Sequence, residues 1–229
     1  MLFNRQPKIF FLSVLALISL TFAANRAVHA IDGAADAGAE ASALEILAFG
    51  DSLTAGYGLG PGEGFTEQLQ VWLNGAVGRP VQVINAGVSG DTSSGGRARL
   101  DWALAPVKGG KPDLVILELG ANDGLRGVDP TITRDNIDAM VATLAERGII
   151  VLITGMMAPP NLGPDYEAVF NPIYKNTAEK YGMPLYPFFL DGVAADPSLN
   201  QSDGIHPNAE GVKIIVERLG PIVKEVILR

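Results

Sequence analysis

The chain has 229 residues, with 17 Lys and Arg against 25 Asp and Glu, two histidines and no cysteine, for a formal net charge of −8. With 48% apolar and 18% charged residues it can bury a real core, which excludes a disordered chain. The missing cysteines exclude disulfide frameworks, thiol nucleophiles and thiolate metal sites, and the acidic balance argues against a broad nucleic-acid-binding face.

The first thirty residues read as a targeting segment. Arg5 and Lys8 precede an almost unbroken apolar run from Ile9 to Phe22, and Val28-His29-Ala30 supplies a small-residue cleavage pattern. That run is too short for an ordinary transmembrane helix and suits the apolar region of a signal peptide, with Ala30 the last residue removed. An uncleaved N-terminal anchor is the alternative. No cysteine follows the run, which excludes a lipid-anchored lipoprotein. The expected destination is the bacterial periplasm or the exterior, with no stable membrane anchor after cleavage. Cleavage also removes His29 and leaves His206 as the single histidine. Residues 31–43 (IDGAADAGAEASA) read as a flexible Ala, Gly and acid tether, and residues 44–229 as one domain.

Within the domain, short apolar runs alternate with segments of helical period. Leu44–Phe49 is predicted as a buried strand, Phe65–Leu73 as a helix and Val81–Ile84 as a second buried strand. Leu114–Leu119 is the third strand. Thr133–Arg147 places Ile137, Met140, Val141 and Leu144 on one helical face, with Gly148 as its stop. Ile149–Ile153 is the fourth strand, Leu185–Phe189 a weaker fifth, and Ala209–Leu228 a closing helix. This alternation predicts a doubly wound, mostly parallel five-stranded α/β sheet of flavodoxin type. In such folds chemistry sits outside the carboxyl ends of the strands.

Four polar segments fall where that edge would gather them: Gly50–Thr54, Asn85–Thr92, Gly120–Gly124 and Asp203–Asn208. Each has a plain structural reading, because Asp51, Ser52, Asp91 or Thr92 can cap a helix and Asn122-Asp123-Gly124 can be a turn. Together they favour a site. His206 stands three residues after Asp203, a spacing that lets the carboxylate hold one ring nitrogen while the other faces a nucleophile. With one histidine, the acid limb of the pH profile is expected to show a single ionisation. One histidine and no cysteine argue against a catalytic metal. Neither a phosphate-binding Gly-x-x-x-x-Gly-Lys-Ser/Thr loop nor a dinucleotide-binding Gly-x-Gly-x-x-Gly follows the first strand.

The blocks GDSL (Gly50–Leu53), Gly90 within SGDT, GANDG (Gly120–Gly124) and DGIHPN (Asp203–Asn208) resemble those of the SGNH, or GDSL, hydrolase family. Asn85–Thr92 and Leu117–Gly127 are especially similar to its bacterial thioesterase I, arylesterase and lysophospholipase group. The resemblance covers residues 44–229. It implies a Ser-His-Asp mechanism on small acyl esters or thioesters, with no cofactor. Ser52 would be the nucleophile, His206 the base and Asp203 its orienter. The oxyanion donors would be the backbone N–H groups of Ser52 and Gly90 and the side-chain amide of Asn122. Thr54 replaces the last glycine of a Gly-x-Ser-x-Gly elbow, so the α/β-hydrolase arrangement does not apply.

For the substrate, the apolar, Pro-rich loop after the fourth strand offers Met156, Met157, Pro159 and Leu162 to an acyl chain, with plain packing as the alternative. By the same family resemblance, the Gly124–Val128 segment is expected to be exposed and to move on binding. Two other readings remain open: a carbohydrate O-acetyl esterase with a polar cleft, and a non-catalytic binding module of the same fold.

Overall fold

The computed structural model describes residues 42–229, so the expected signal peptide and most of the tether lie outside the described residues. Five strands, β1 (Leu44–Gly50), β2 (Val81–Gly87), β3 (Leu114–Glu118), β4 (Val151–Thr154) and β5 (Leu185–Tyr186), form one sheet in the order β2-β1-β3-β4-β5. Every neighbouring pair is parallel. This is the expected single α/β domain of flavodoxin type, with helices on both faces.

Aliphatic side chains explain the middle of the sheet. β3 and β4 are buried at every position, and β1 at all but Glu45. The second strand is the exception. It lies at the sheet edge, and only Val81 of its residues is buried, so Val81–Ile84 is a half-covered edge rather than an interior strand. The fifth strand is shorter than its apolar run. Pro187 has no N–H to give the ladder, so pairing stops at Tyr186. Phe189 still packs edge-to-face on Phe65, with ring centroids 5.1 Å apart.

The helices are α1 (Ser52–Ala55), α2 (Phe65–Ala76), α3 (Ser93–Leu104), α4 (Ala121–Leu125), α5 (Pro130–Glu146), α6 (Pro164–Phe170), α7 (Pro172–Tyr181) and α8 (Ala209–Ile227). Helix α5 buries Ile137, Met140, Val141 and Leu144 completely, as the periodicity predicts. It starts three residues early because Asp129 caps Thr131 N–H and Pro130 occupies the first helical position. Pro164 and Pro172 likewise open α6 and α7, two helices not predicted from the sequence. Helix α3 was missed for another reason: its first turn is Ser-Ser-Gly-Gly, a poor helix former held by the Thr92 cap.

Strand register sets the position of the polar segments. Gly50 lies beside Gly87 on one side and beside Glu118 on the other, so β1, β2 and β3 end level. Their following residues therefore emerge side by side at the carboxyl edge. No helix among the described residues is long and apolar enough to cross a membrane.

Candidate active site

Ser52 is the first residue of α1, one step beyond β1 and its Asp51 cap. The DGIHPN loop runs into α8, whose start is fixed by Asn208 accepting from the N–H groups of Glu210 and Gly211. These two anchors bring residues 154 positions apart into contact: His206 Nε2 is 2.9 Å from Ser52 Oγ. The other ring nitrogen, Nδ1, is 2.7 Å from Asp203 Oδ2. Asp203 is itself fixed, since its Oδ1 accepts from the backbone N–H groups of Ile205 and His206 at 3.0 Å each. The Ile205 N–H, the His206 side chain and the His206 N–H together lower the Asp203 carboxyl from its usual value to about 2. Asp203 is thus an anion throughout the neutral range, able to hold the His206 Nδ1 proton and leave Nε2 to accept from Ser52. Tyr57 covers the imidazole, with ring centroids 4.7 Å apart.

Asn122 sits in the first turn of α4 and donates an amide N–H to Asp51 Oδ2 at 3.0 Å. A side-chain amide has two N–H groups, so one stays free while the other fixes its orientation. The Ser52 N–H is at the first helical position, where no intrahelical acceptor exists. Gly90 lies in the turn after β2 at φ +83°, a left-handed conformation that suits glycine. Its carbonyl accepts from Arg126 Nη2 at 2.8 Å. Helix α1 is a single turn, and its Leu53 N–H is already bonded to Asp51, so a helix dipole adds little at Ser52. Ser52 is also less open than a strand-end serine was expected to be, at 9% exposed.

Ser52, His206 and Asn122 share the wall of a cavity of about 220 Å³. The rest of its lining is mainly apolar and includes Leu53, Leu125, Met156, Met157, Pro159 and Phe188. Three of the four predicted loop residues, Met156, Met157 and Pro159, are therefore brought to the site. Leu162 is not among the lining residues: it closes a 3₁₀ turn (Pro160–Leu162) that leads the chain away towards α6. Gly90 does not line the cavity either; it lies in the turn after β2. The Gly124–Val128 segment is only partly exposed, because Gly124 is buried against Pro159 and Phe170. A larger hollow of about 520 Å³ beside α5 and α7, lined by Arg134, Asp138 and Lys180 among others, touches none of these groups.

Two buried acids complete the site. Asp51, fully buried, is pushed up to about 6 by burial, against the opposing bonds from Leu53 N–H and Asn122. Glu118, also fully buried, is raised well above the usual carboxylate range by burial and then by the neighbouring Asp51. Sequence reasoning took Asp51 as a cap, which it is, but missed its grip on Asn122. Glu118 was missed altogether. A single acid inside the run LVILEL was the available signal. No sequence signal marks Tyr57. No group of three His, Cys, Asp or Glu side chains among the described residues is arranged to hold a metal.

A flavodoxin-type sheet carrying a hydrogen-bonded Ser, His and Asp row at its carboxyl edge places the chain among the SGNH-type hydrolases. Residues 48–214 match the model of the GDSL-like lipase/acylhydrolase family, and the chain belongs to that family. It is 39% identical over 188 residues to Esterase TesA of Pseudomonas aeruginosa, covering 82% of this chain and 92% of that protein. It is 35% identical over 187 residues to Thioesterase 1/protease 1/lysophospholipase L1 of Escherichia coli K12, covering 80% of this chain and 86% of that one. Among solved structures, AlinE4, an SGNH-hydrolase family esterase, superposes with a TM-score of 0.68 at 45% identity, over 81% of this chain and 97% of its own. The TesA crystal structure gives 0.73 at 40% identity, over 80% and 99%.

Proposed function

We propose that this protein is an exported serine hydrolase that cleaves acyl esters and thioesters of aryl ester, acyl-CoA or lysophospholipid type. The observation that carries the reading is the unbroken row from Asp203 through His206 to Ser52 Oγ, opening onto a mainly apolar cavity. In this reading Ser52 Oγ attacks the acyl carbonyl carbon as its proton passes to His206 Nε2. The charge developing on the carbonyl oxygen is met by the N–H groups of Ser52 and Gly90 and by the free N–H of Asn122. Collapse expels the alcohol or thiol, which takes the proton from His206, and water then repeats the sequence on the acyl-enzyme.

The cavity supports an acyl chain as the recognised part, since its apolar lining offers little to a sugar hydroxyl. Its volume of about 220 Å³ is below the ~300–1,000 Å³ typical of drug-sized ligand pockets, which favours short and medium chains over long ones. Export rests on the sequence pattern of residues 1–30. The test is a chain-length series of nitrophenyl esters and acyl-CoAs on protein lacking residues 1–30, beside its Ser52→Ala variant. Turnover that rises from acetyl to medium chains and vanishes in the variant is expected. Comparable activity in Ser52→Ala would overturn the reading, and acetate release without any medium-chain turnover would select an O-acetyl esterase.

A further inference from the structure

We propose that Glu118 is a positioning residue for the nucleophile, gripping the chain on both sides of Ser52, and that Glu118 and Asp51 carry one negative charge between them. The inference rests on the assignment of Ser52 as nucleophile. Glu118 ends β3 directly beside Gly50 of β1. Its Oε2 accepts from the hydroxyl of Thr54 at 2.8 Å and from the backbone N–H of Asp51 at 3.3 Å. Asp51 and Thr54 flank Ser52, so one carboxyl oxygen fixes the turn on which Oγ is presented. Gly50 makes the grip possible, because a Cβ there would stand 2.6 Å from Glu118 Oε2 and collide with the Thr54 hydroxyl.

The charge follows from what surrounds the pair. Asp51 accepts two N–H groups, from Leu53 and Asn122, and is equipped to be the anion. Glu118 Oε1 is buried with no partner at all. An anion left with a bare buried oxygen costs far more than a neutral carboxyl in the same place. No Lys or Arg among the described residues pairs with either acid: Arg99 on α3 turns to Asp91 and to the Gly50 carbonyl. The other titratable groups acting on or beside the pair are His206 and the buried phenol of Tyr174 on α7, and the phenol offers no positive charge. The upward displacement of Glu118 by burial and by Asp51 agrees with this arrangement.

The test compares wild type, Glu118→Ala, Glu118→Gln and Thr54→Val on a nitrophenyl ester, with Ser52→Ala as the inactive control. Glu118→Ala is expected to lower kcat by on the order of 10²-fold at unchanged KM, as a misplaced reacting group does. Glu118→Gln keeps an oxygen for Thr54 and Asp51, and should restore most of kcat without moving the acid limb of the pH profile. Thr54→Val removes only the hydroxyl and is expected to lower kcat by about tenfold, which keeps the proposal testable if Glu118→Ala does not fold. Thermal melts supply the second readout. A carboxyl raised in the folded state costs stability as pH climbs above its unfolded value, so Glu118→Gln should lose less Tm than wild type between pH 5 and 8, roughly the span above the free Glu value. Wild-type kcat in Thr54→Val overturns the positioning role. A Glu118→Gln acid limb displaced to lower pH, or an unaltered pH dependence of its Tm, overturns the shared charge. If Ser52→Ala retained activity, the nucleophile assignment itself would fail, and the two failures are thereby distinguished.

Discussion

Replacing Asn122 by alanine separates an oxyanion donor from a turn residue, and the structure sets the size of both consequences. Asn122 Nδ2 is 3.0 Å from Asp51 Oδ2, so one amide N–H is committed to the buried carboxylate and the other faces the cavity. In the proposed mechanism, loss of the free N–H removes one oxyanion donor from the transition state, worth on the order of 10²–10³ in kcat or about 3–4 kcal/mol, with KM spared. Loss of the committed N–H leaves Asp51 short of a charged hydrogen bond, worth about 1.5–3 kcal/mol of stability. The two effects separate by measuring kcat per folded molecule and Tm in parallel. The pH dependence of the Tm deficit is a further check. Asn122 holds the Asp51 carboxyl down, so its removal drives that carboxyl above about 6. An acid raised in the folded state loses stability between its unfolded and folded values, so the deficit of Asn122→Ala against wild type should grow as pH rises past 6. The reasoning is refuted if Asn122→Ala melts lower yet retains wild-type kcat per folded molecule. Equal Tm deficits at pH 5 and pH 8 would refute the link to Asp51.

Three further outcomes follow. Asp51 holds Asn122 more strongly as an anion and takes up its proton as pH falls through about 6, so the acid limb of kcat/KM should carry an Asp51 ionisation beyond the one expected from a single histidine, and Asp51→Asn should lose it. This replaces the single ionisation expected from one histidine. Arg126→Ala frees the Gly90 carbonyl, and stopped-flow or steady-state assays should show kcat lowered by up to about 10²-fold with little change in KM. Met157→Asp, at an exposed position on the cavity rim, should reduce kcat/KM for medium-chain esters much more than for acetyl esters, with Tm nearly unchanged.

What the sequence reveals and what it hides have physical causes. LEILAF, LVILEL and IIVLI are too short and too aliphatic to be much else than interior strands, and the alternation with helical segments fixes a parallel sheet. The polar blocks at the strand ends were legible because a core has no use for them. Edge and interior strands were not separable, since VQVI has the residue types of either. Helices α6 and α7 went unread because a proline, not a capping side chain, opens each of them. In the site, Asp203 and His206 are three residues apart and their bond could be read from the loop. The Asp51–Asn122 bond joins residues 71 apart, and the Glu118–Thr54 bond residues 64 apart. Both exist because β1 and β3 end in register, which no local pattern records.

In the proposed mechanism the Oγ of Ser52, activated by His206, attacks the acyl carbon. The most direct test of that attack is covalent capture by a serine-directed phosphonate, read by intact mass and peptide mapping on wild type, Ser52→Ala and His206→Ala. One adduct per chain is expected, located on Ser52, absent from Ser52→Ala and formed far more slowly in His206→Ala. An adduct on another residue, or undiminished labelling of Ser52→Ala, would contradict that mechanism.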